Sequence, residues 1–187
     1  MYCGSINKGN TVADDIHKLM VLCDDEFKPR LSKRTDAVRA LSAQIGDAHP
    51  MNIEPYFEII LQQKNIIAIV DGNIGSFMSF KHDFDKPYYF PAVLREGDSI
   101  NYITTICTHP DFRGKKLATQ LYDYIEKSLS NDVRANCVAT RTWNTNIGHI
   151  GLLQKRGYKL TCTLHEDRKD DDGTVLDTVY YCKRLEA

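Results

Sequence analysis

No apolar run in this chain approaches the ~18 residues that a membrane span requires. The longest stretches, such as Ile66-Ile67-Ala68-Ile69-Val70, are far shorter. The opening segment, Met1 to Asn10, lacks the apolar core of a secretory signal, so a cytoplasmic protein with no membrane partner is the expectation. An excess of charge of either sign is missing too, with a formal net charge of -1 and a pI of about 6.6. A dedicated nucleic-acid binder needs a net basic face to displace counterions, so no nucleic-acid partner is expected, although a small local anion site stays open. The six cysteines (Cys3, Cys23, Cys107, Cys137, Cys162, Cys182) show no C-x-x-C pair and no Cys/His cluster at metal spacing. Free, mostly buried thiols and no metal are therefore expected. There is no internal repeat, and 187 residues with 42% hydrophobic side chains suit a single domain, 1–187.

What is present is a change of period along the chain. Residues 11–46 read as helical, with one stripe at Ile16, Leu19, Met20 and Cys23 and a second at Ala37, Val38, Leu41 and Ile45. Asp24 to Lys33 reads as a loop between them. Asn52-Ile53-Glu54-Pro55 starts a third helix that buries Phe57, Ile60 and Leu61, with proline where its missing N–H does no harm. Asn65 to Val70 and Ile74 to Lys81 then form a hairpin around Asp71-Gly72-Asn73. His82 to Asp98 is long and irregular. A strand over Ser99–Thr108, a helix from Gly114 to about Ser130 and a strand over Asn136–Thr142 follow. A helix over Asn146–Arg156 and strands over Tyr158–Glu166 and Val175–Lys183 complete the chain. The Asp170-Asp171-Asp172-Gly173 run reads as a solvated hairpin tip. This order predicts an α/β fold, a mixed, mostly antiparallel sheet with helices on its faces.

The chemistry concentrates in Ile106-Cys107-Thr108-His109-Pro110-Asp111-Phe112-Arg113-Gly114-Lys115-Lys116-Leu117-Ala118-Thr119. A strand ends at the proline, and a glycine opens a helix whose stripe is Leu117, Leu121, Ile125 and Leu129. Unpaired amides and the positive end of the helix dipole meet three basic side chains there, which suits a pyrophosphate. The segment lacks the spacing of a P-loop and the three glycines of a dinucleotide fold.

The segment resembles the acetyl-CoA signature [QR]-x-x-G-x-[GA] of the GNAT acetyltransferase superfamily, with Arg113 first and Ala118 last. Lys116 stands where a glycine is usual. As a residue of the first helical turn it is expected to need no positive φ. About 30 residues on, Asn146 to Tyr158 is similar to the family's N-x-x-[AS]-x-x-L-Y-x-K-x-G-[FY], with Asn146, Leu152, Lys155, Gly157 and Tyr158 in place. The resemblance covers about 65–185, the expected cofactor core, and leaves 1–60 as a divergent helical region on the acceptor side.

The resemblance implies a GNAT-like fold that binds acetyl-CoA as co-substrate and acetylates a small-molecule or peptide amine, with a homodimer possible. It implies that the amides of Arg113, Gly114, Lys115, Lys116, Leu117, Ala118 and Thr119 hold the pyrophosphate. Ile106, Cys107 and Thr108 would pair with the pantetheine arm, and Asn146 would bond it. The tyrosine that often protonates the leaving thiolate is Leu153 here, and the position of the usual glutamate base is Tyr102. His149, one turn before Leu153, and Tyr102 are the candidates to supply or relay protons, against simple packing roles for both. A covalent acyl-enzyme on Cys107 lacks a base placed by sequence. Asp24, Asp25 and Glu26 offer charge to a cationic amine unless merely solvated. With the usual acid and base both replaced, the alternative is an acyl-CoA-binding regulatory module without turnover. A basic nucleic-acid module built on Arg113-Gly114-Lys115-Lys116 is disfavoured by the neutral overall charge.

Overall fold

In the computed structural model, residues 1–4, 6, 8–28, 30–33, 53–84, 97–129, 133–170 and 172–185 are described. Seven strands build one sheet: β1 (Tyr2–Gly4), β2 (Lys64–Val70), β3 (Asn73–Lys81), β4 (Ile100–Thr108), β5 (Cys137–Trp143), β6 (Lys159–Lys169) and β7 (Val175–Arg184). Their order across the sheet is β1-β2-β3-β4-β5-β7-β6. Only β4 and β5 run parallel, as a strand–helix–strand connection requires; every other neighbouring pair is antiparallel. The expected mixed sheet is therefore present. The strand β1 was not legible, because three residues carry no alternation to read.

Four α-helices accompany the sheet among the described residues: α1 (Thr11–Cys23), α2 (Glu54–Leu61), α3 (Leu117–Lys127) and α4 (Ile147–Lys155). The side chain of Asn10 caps α1 by accepting from the amide of Ala13 at 2.8 Å. The β2–β3 turn places Asp71 and Gly72 at φ 50° and 80°, the mirror-image turn that matches strand twist. The expected Asp24–Lys33 loop contains two short 3-10 turns, Asp24–Glu26 and Leu31–Lys33. The former is braced where buried Asp24 accepts from the Ser32 amide at 2.9 Å and from its hydroxyl. The second expected stripe (Ala37, Val38, Leu41, Ile45) and most of the His82–Asp98 loop fall outside the described residues.

Neighbouring residues on each strand face opposite layers. Ile66, Met78, Phe80, Ile103, Val138 and Val179 pack with Leu117, Leu121 and Ile125 of α3 and Leu153 of α4. Ile67, Phe77 and Cys107 face the other way, onto Ile16 and Met20 of α1 and Phe57 and Ile60 of α2. Beyond them on that second face, Tyr102, Ala139, Tyr180 and Cys182 form a smaller cluster. The stripes expected on α1 and α3 are all buried.

Candidate active site

Pairing of β4 with β5 runs only from Ile100↔Cys137 to Ile103↔Thr140. Beyond that point β4 continues to Thr108 and β5 to Trp143, so the strands part and, among the described residues, leave facing backbone edges without a sheet partner. A β-bulge sits at the fork. Ser79 pairs with Thr105 and Phe80 with Ile103, so Thr104 is the extra residue that bends β4. Buried Gln63 braces it, its Oε1 accepting from the hydroxyls of both Thr104 and Ser79. The opened wedge is a cavity of about 720 Å³, within the usual size range of small-molecule sites.

The far end of β4 leads into the basic loop. The His109 amide donates to Gly75 O at 2.9 Å, and its Nδ1 accepts from the Asp111 amide, capping a 3-10 turn over Pro110–Phe112. The helix expected to begin at Gly114 begins three residues later, at Leu117. Gly114 has φ 75°, and Lys116, at φ 61° and ψ 22°, occupies the N-cap in the left-handed region. The expectation that Lys116 needs no positive φ is thus overturned: it precedes the helix rather than belonging to its first turn. Among the described residues no side chain caps α3, which leaves the amides of its first turn, at Leu117 and Ala118 on the cavity, open to a ligand. Arg113 is ion-paired with Glu26.

A left-handed non-glycine residue carries strain, and glycine would relieve it while adding unfolded-state entropy. Lys116→Gly should therefore raise stability by about 0.5–1 kcal/mol net, and Lys116→Ala, which keeps the strain, should not. Urea melts of both variants provide the check. A glycine variant no more stable than the alanine one would contradict the strain.

Residues 35–158, well over half of the chain, match the sequence profile of the acetyltransferase (GNAT) family. The chain belongs to the GNAT acetyltransferase family. Solved structures agree with its fold. An N-acetyltransferase from Staphylococcus aureus Mu50 superimposes with a TM-score of 0.62 at 17% identity, covering 99% of this chain and 98% of that one. A putative phosphinothricin N-acetyltransferase gives a TM-score of 0.64 at 13% identity over 100% of this chain and 99% of that one. NAA60 from Arabidopsis thaliana in complex with acetyl-CoA gives 0.58 at 16% identity over 82% of this chain and 95% of that one. Among curated proteins, none matches at a significant level.

Most of the residues expected around the GNAT cofactor do line the cavity. Ile106, Cys107 and Thr108 form one wall, Arg113, Gly114, Lys116, Leu117 and Ala118 the mouth, and Asn146 and His149 the floor. Lys115 and Thr119 do not line it; the Lys115 ammonium sits over the Phe112 ring, 4.7 Å from its centre. Asn146 caps α4, its Oδ1 accepting from the His149 amide at 3.3 Å, while its Nδ2 donates to Thr142 Oγ1 at 3.0 Å. His149 Nε2 lies 2.8 Å from the hydroxyl of fully buried Tyr122. Burial lowers the His149 pKa to about 4, so the imidazole is neutral at physiological pH. Leu153 is wholly buried in the core, and Leu152 reaches the cavity instead. Tyr102 stands behind the cavity wall, stacked on Phe84 at 4.5 Å, and burial pushes its hydroxyl well above the usual range.

Other participants were not read from the sequence. Phe27 and Trp143, 6.4 Å apart, face each other in the cavity, and Arg141 joins them on its wall. The two came from distant segments, so no local pattern announced them. Arg141 was open to notice, since a charged residue interrupts the otherwise uncharged run from Cys137 to Trp143. Each of the acidic trio has a partner: buried Asp24 holds Ser32, while the exposed Asp25 pairs with Arg30 and Glu26, on the cavity, with Arg113. Buried Cys107 neighbours Cys23, whose thiol pKa is lowered first by its hydrogen bond with Cys107.

Proposed function

We propose that this GNAT protein transfers the acetyl group of acetyl-CoA directly to a primary amine on a small molecule or peptide. The observation that carries the reading is the wedge between β4 and β5, with the uncapped start of α3 at its mouth. The amides at that start suit the pyrophosphate, and the exposed strand edges suit the amide-rich pantetheine arm. The amine nitrogen forms a bond to the thioester carbon, the carbon–sulfur bond breaks, and the proton the amine loses ends on the sulfur. Positioning two reactants in one cleft supplies much of the acceleration.

His149 lines the cavity and in this reading stands beside the departing sulfur. The neutral imidazole shares a hydrogen bond with the Tyr122 hydroxyl through Nε2 and is a polar neighbour that stabilises the developing thiolate. A complete relay would leave a buried tyrosinate, which burial opposes at Tyr122, so His149 acts by hydrogen bonding rather than as a proton source. Tyr102, buried behind the cavity wall and held protonated, cannot be the base. The acceptor amine must therefore arrive neutral or lose its proton to solvent.

The test is free thiol released from acetyl-CoA across a panel of amines, including amino acids and peptides. Turnover supports the transferase, and acetyl-CoA binding without turnover would mean a regulatory acyl-CoA module. His149→Ala should lower kcat about tenfold with little change in the KM for acetyl-CoA. An unchanged kcat would remove His149 from the mechanism.

A further inference from the structure

Arg141 is the first residue of β5 beyond the fork, and its surroundings are unlike those of the other buried or pocket-lining arginines. Arg113, Arg156, Arg168 and Arg184 each meet a carboxylate. Among the described residues Arg141 meets none. Among those residues its Nη1 donates to the Tyr180 hydroxyl at 3.3 Å, its cross-strand partner. Tyr102 and Tyr56 are its other electrostatic neighbours, and Tyr102 is held neutral by burial. A cation therefore lines the cavity with most of its donor fork unused among the described residues.

Strand alternation sets the direction it faces. Thr142 turns toward α4, where it holds Asn146, so Arg141 and Trp143 turn to the opposite half of the wedge. There Trp143 meets Phe27, and Arg141 meets Tyr180 and Tyr102. The phosphate-binding mouth lies past the far end of β4, whose last residue, Thr108, is four strand residues or about 13 Å further along. Pantetheine and thioester, which would lie nearer the fork, carry no charge. The resting cofactor thus offers Arg141 no standing anion near the fork, and the second substrate is the source that fits.

Resting on the transferase reading above, we propose that Arg141 binds a carboxylate of the acceptor, so that the substrates are amino acids or acidic peptides whose amine lies close to a carboxylate. A planar guanidinium grips such a group through paired N–H···O bonds, and the distance between carboxylate and amine then sets the nitrogen against the thioester. Arg141 is in this sense a specificity residue.

Matched acceptors test this. One arm compares free amino acids with their carboxamides; the other compares C-terminally amidated tripeptides bearing Asp or Asn at the second position. The acid member of at least one arm should be favoured in kcat/KM by about 10- to 100-fold, as expected for a charge-assisted pair. The favoured arm identifies the source of the carboxylate. Arg141→Gln should erase the preference and Arg141→Lys should keep part of it, with melting temperatures confirming that both variants fold. Equal use of acid and amide members, or a preference that survives Arg141→Gln, would overturn the proposal. Trp143, the single tryptophan of the chain, gives a readout independent of turnover. With CoA present, its fluorescence should respond to the acid members at least about tenfold more tightly in the wild type than in Arg141→Gln. Such a response without any turnover would sustain the carboxylate site and reject the transferase; no acid-selective response and no acid-selective turnover would reject the site.

Discussion

Replacing Glu126 by alanine is expected to destabilise the protein by about 3–5 kcal/mol, among the largest effects available to one substitution in this chain. Its side chain is only 2% exposed and meets two cations, with Arg156 Nε donating to Oε1 at 2.9 Å and Lys183 Nζ to Oε2 at 2.6 Å. Arg156 also donates to Asp123 at 2.8 Å, and its guanidinium lies 5.6 Å from the centre of the Tyr122 ring. Removing the carboxylate leaves two partly buried positive charges facing each other without their shared partner. The cost of that uncompensated charge exceeds the modest value of any exposed pair. For a chain of this size the melting temperature should fall by roughly 10 °C. The contact has a functional side, because Glu126 is on α3, Arg156 ends α4 and Lys183 is on β7. It ties together the two helices whose starts define the mouth and floor of the cavity. A thermal melt that moves by less than about 2 °C would mean that the cluster is well solvated and holds nothing in place.

How far the residues spoke for themselves depended on the range of the interaction behind each feature. The stripe Leu117, Leu121, Ile125 and Leu129 and the turn at Asp71-Gly72 are local patterns, and both stand where they were expected. The basic loop was legible for the same reason, since its glycine, its proline and its charges are adjacent in the chain. Its backbone was not. Gly114 looked like a helix start, whereas the chain spends three more residues in the turn and leaves Lys116 in the left-handed region. The fork between β4 and β5 had no local sign, because it arises from register: Thr104 is extra only relative to Ser79 and Phe80 on the neighbouring strand. The acceptor half of the cavity was hidden for a similar reason. Phe27 meets Trp143, and Glu26 meets Arg113, across separations in sequence that no periodicity records. His149 was singled out by its place in the helix motif, but its tie to Tyr122 appears only once α3 and α4 pack together.

The second large effect concerns the cavity mouth and decides the account as a whole. Arg113→Glu combined with Gly114→Val acts twice on the same loop. The new carboxylate stands beside Glu26, which now holds Arg113, and repels phosphate where the wild type attracts it. The valine has room for its side chain, since nothing lies within 4 Å of a Cβ there, but a β-branched residue resists φ 75° and shifts the amides. Thermal unfolding with and without acetyl-CoA, for the wild type and this double variant, is the measurement to make. At about 100-fold excess over Kd, binding should add roughly 2.7 kcal/mol to the wild type, a rise of about 5–10 °C, and nothing to the variant. No shift in the wild type, or the same shift in both proteins, would contradict the assignment of this wedge as the acetyl-CoA site.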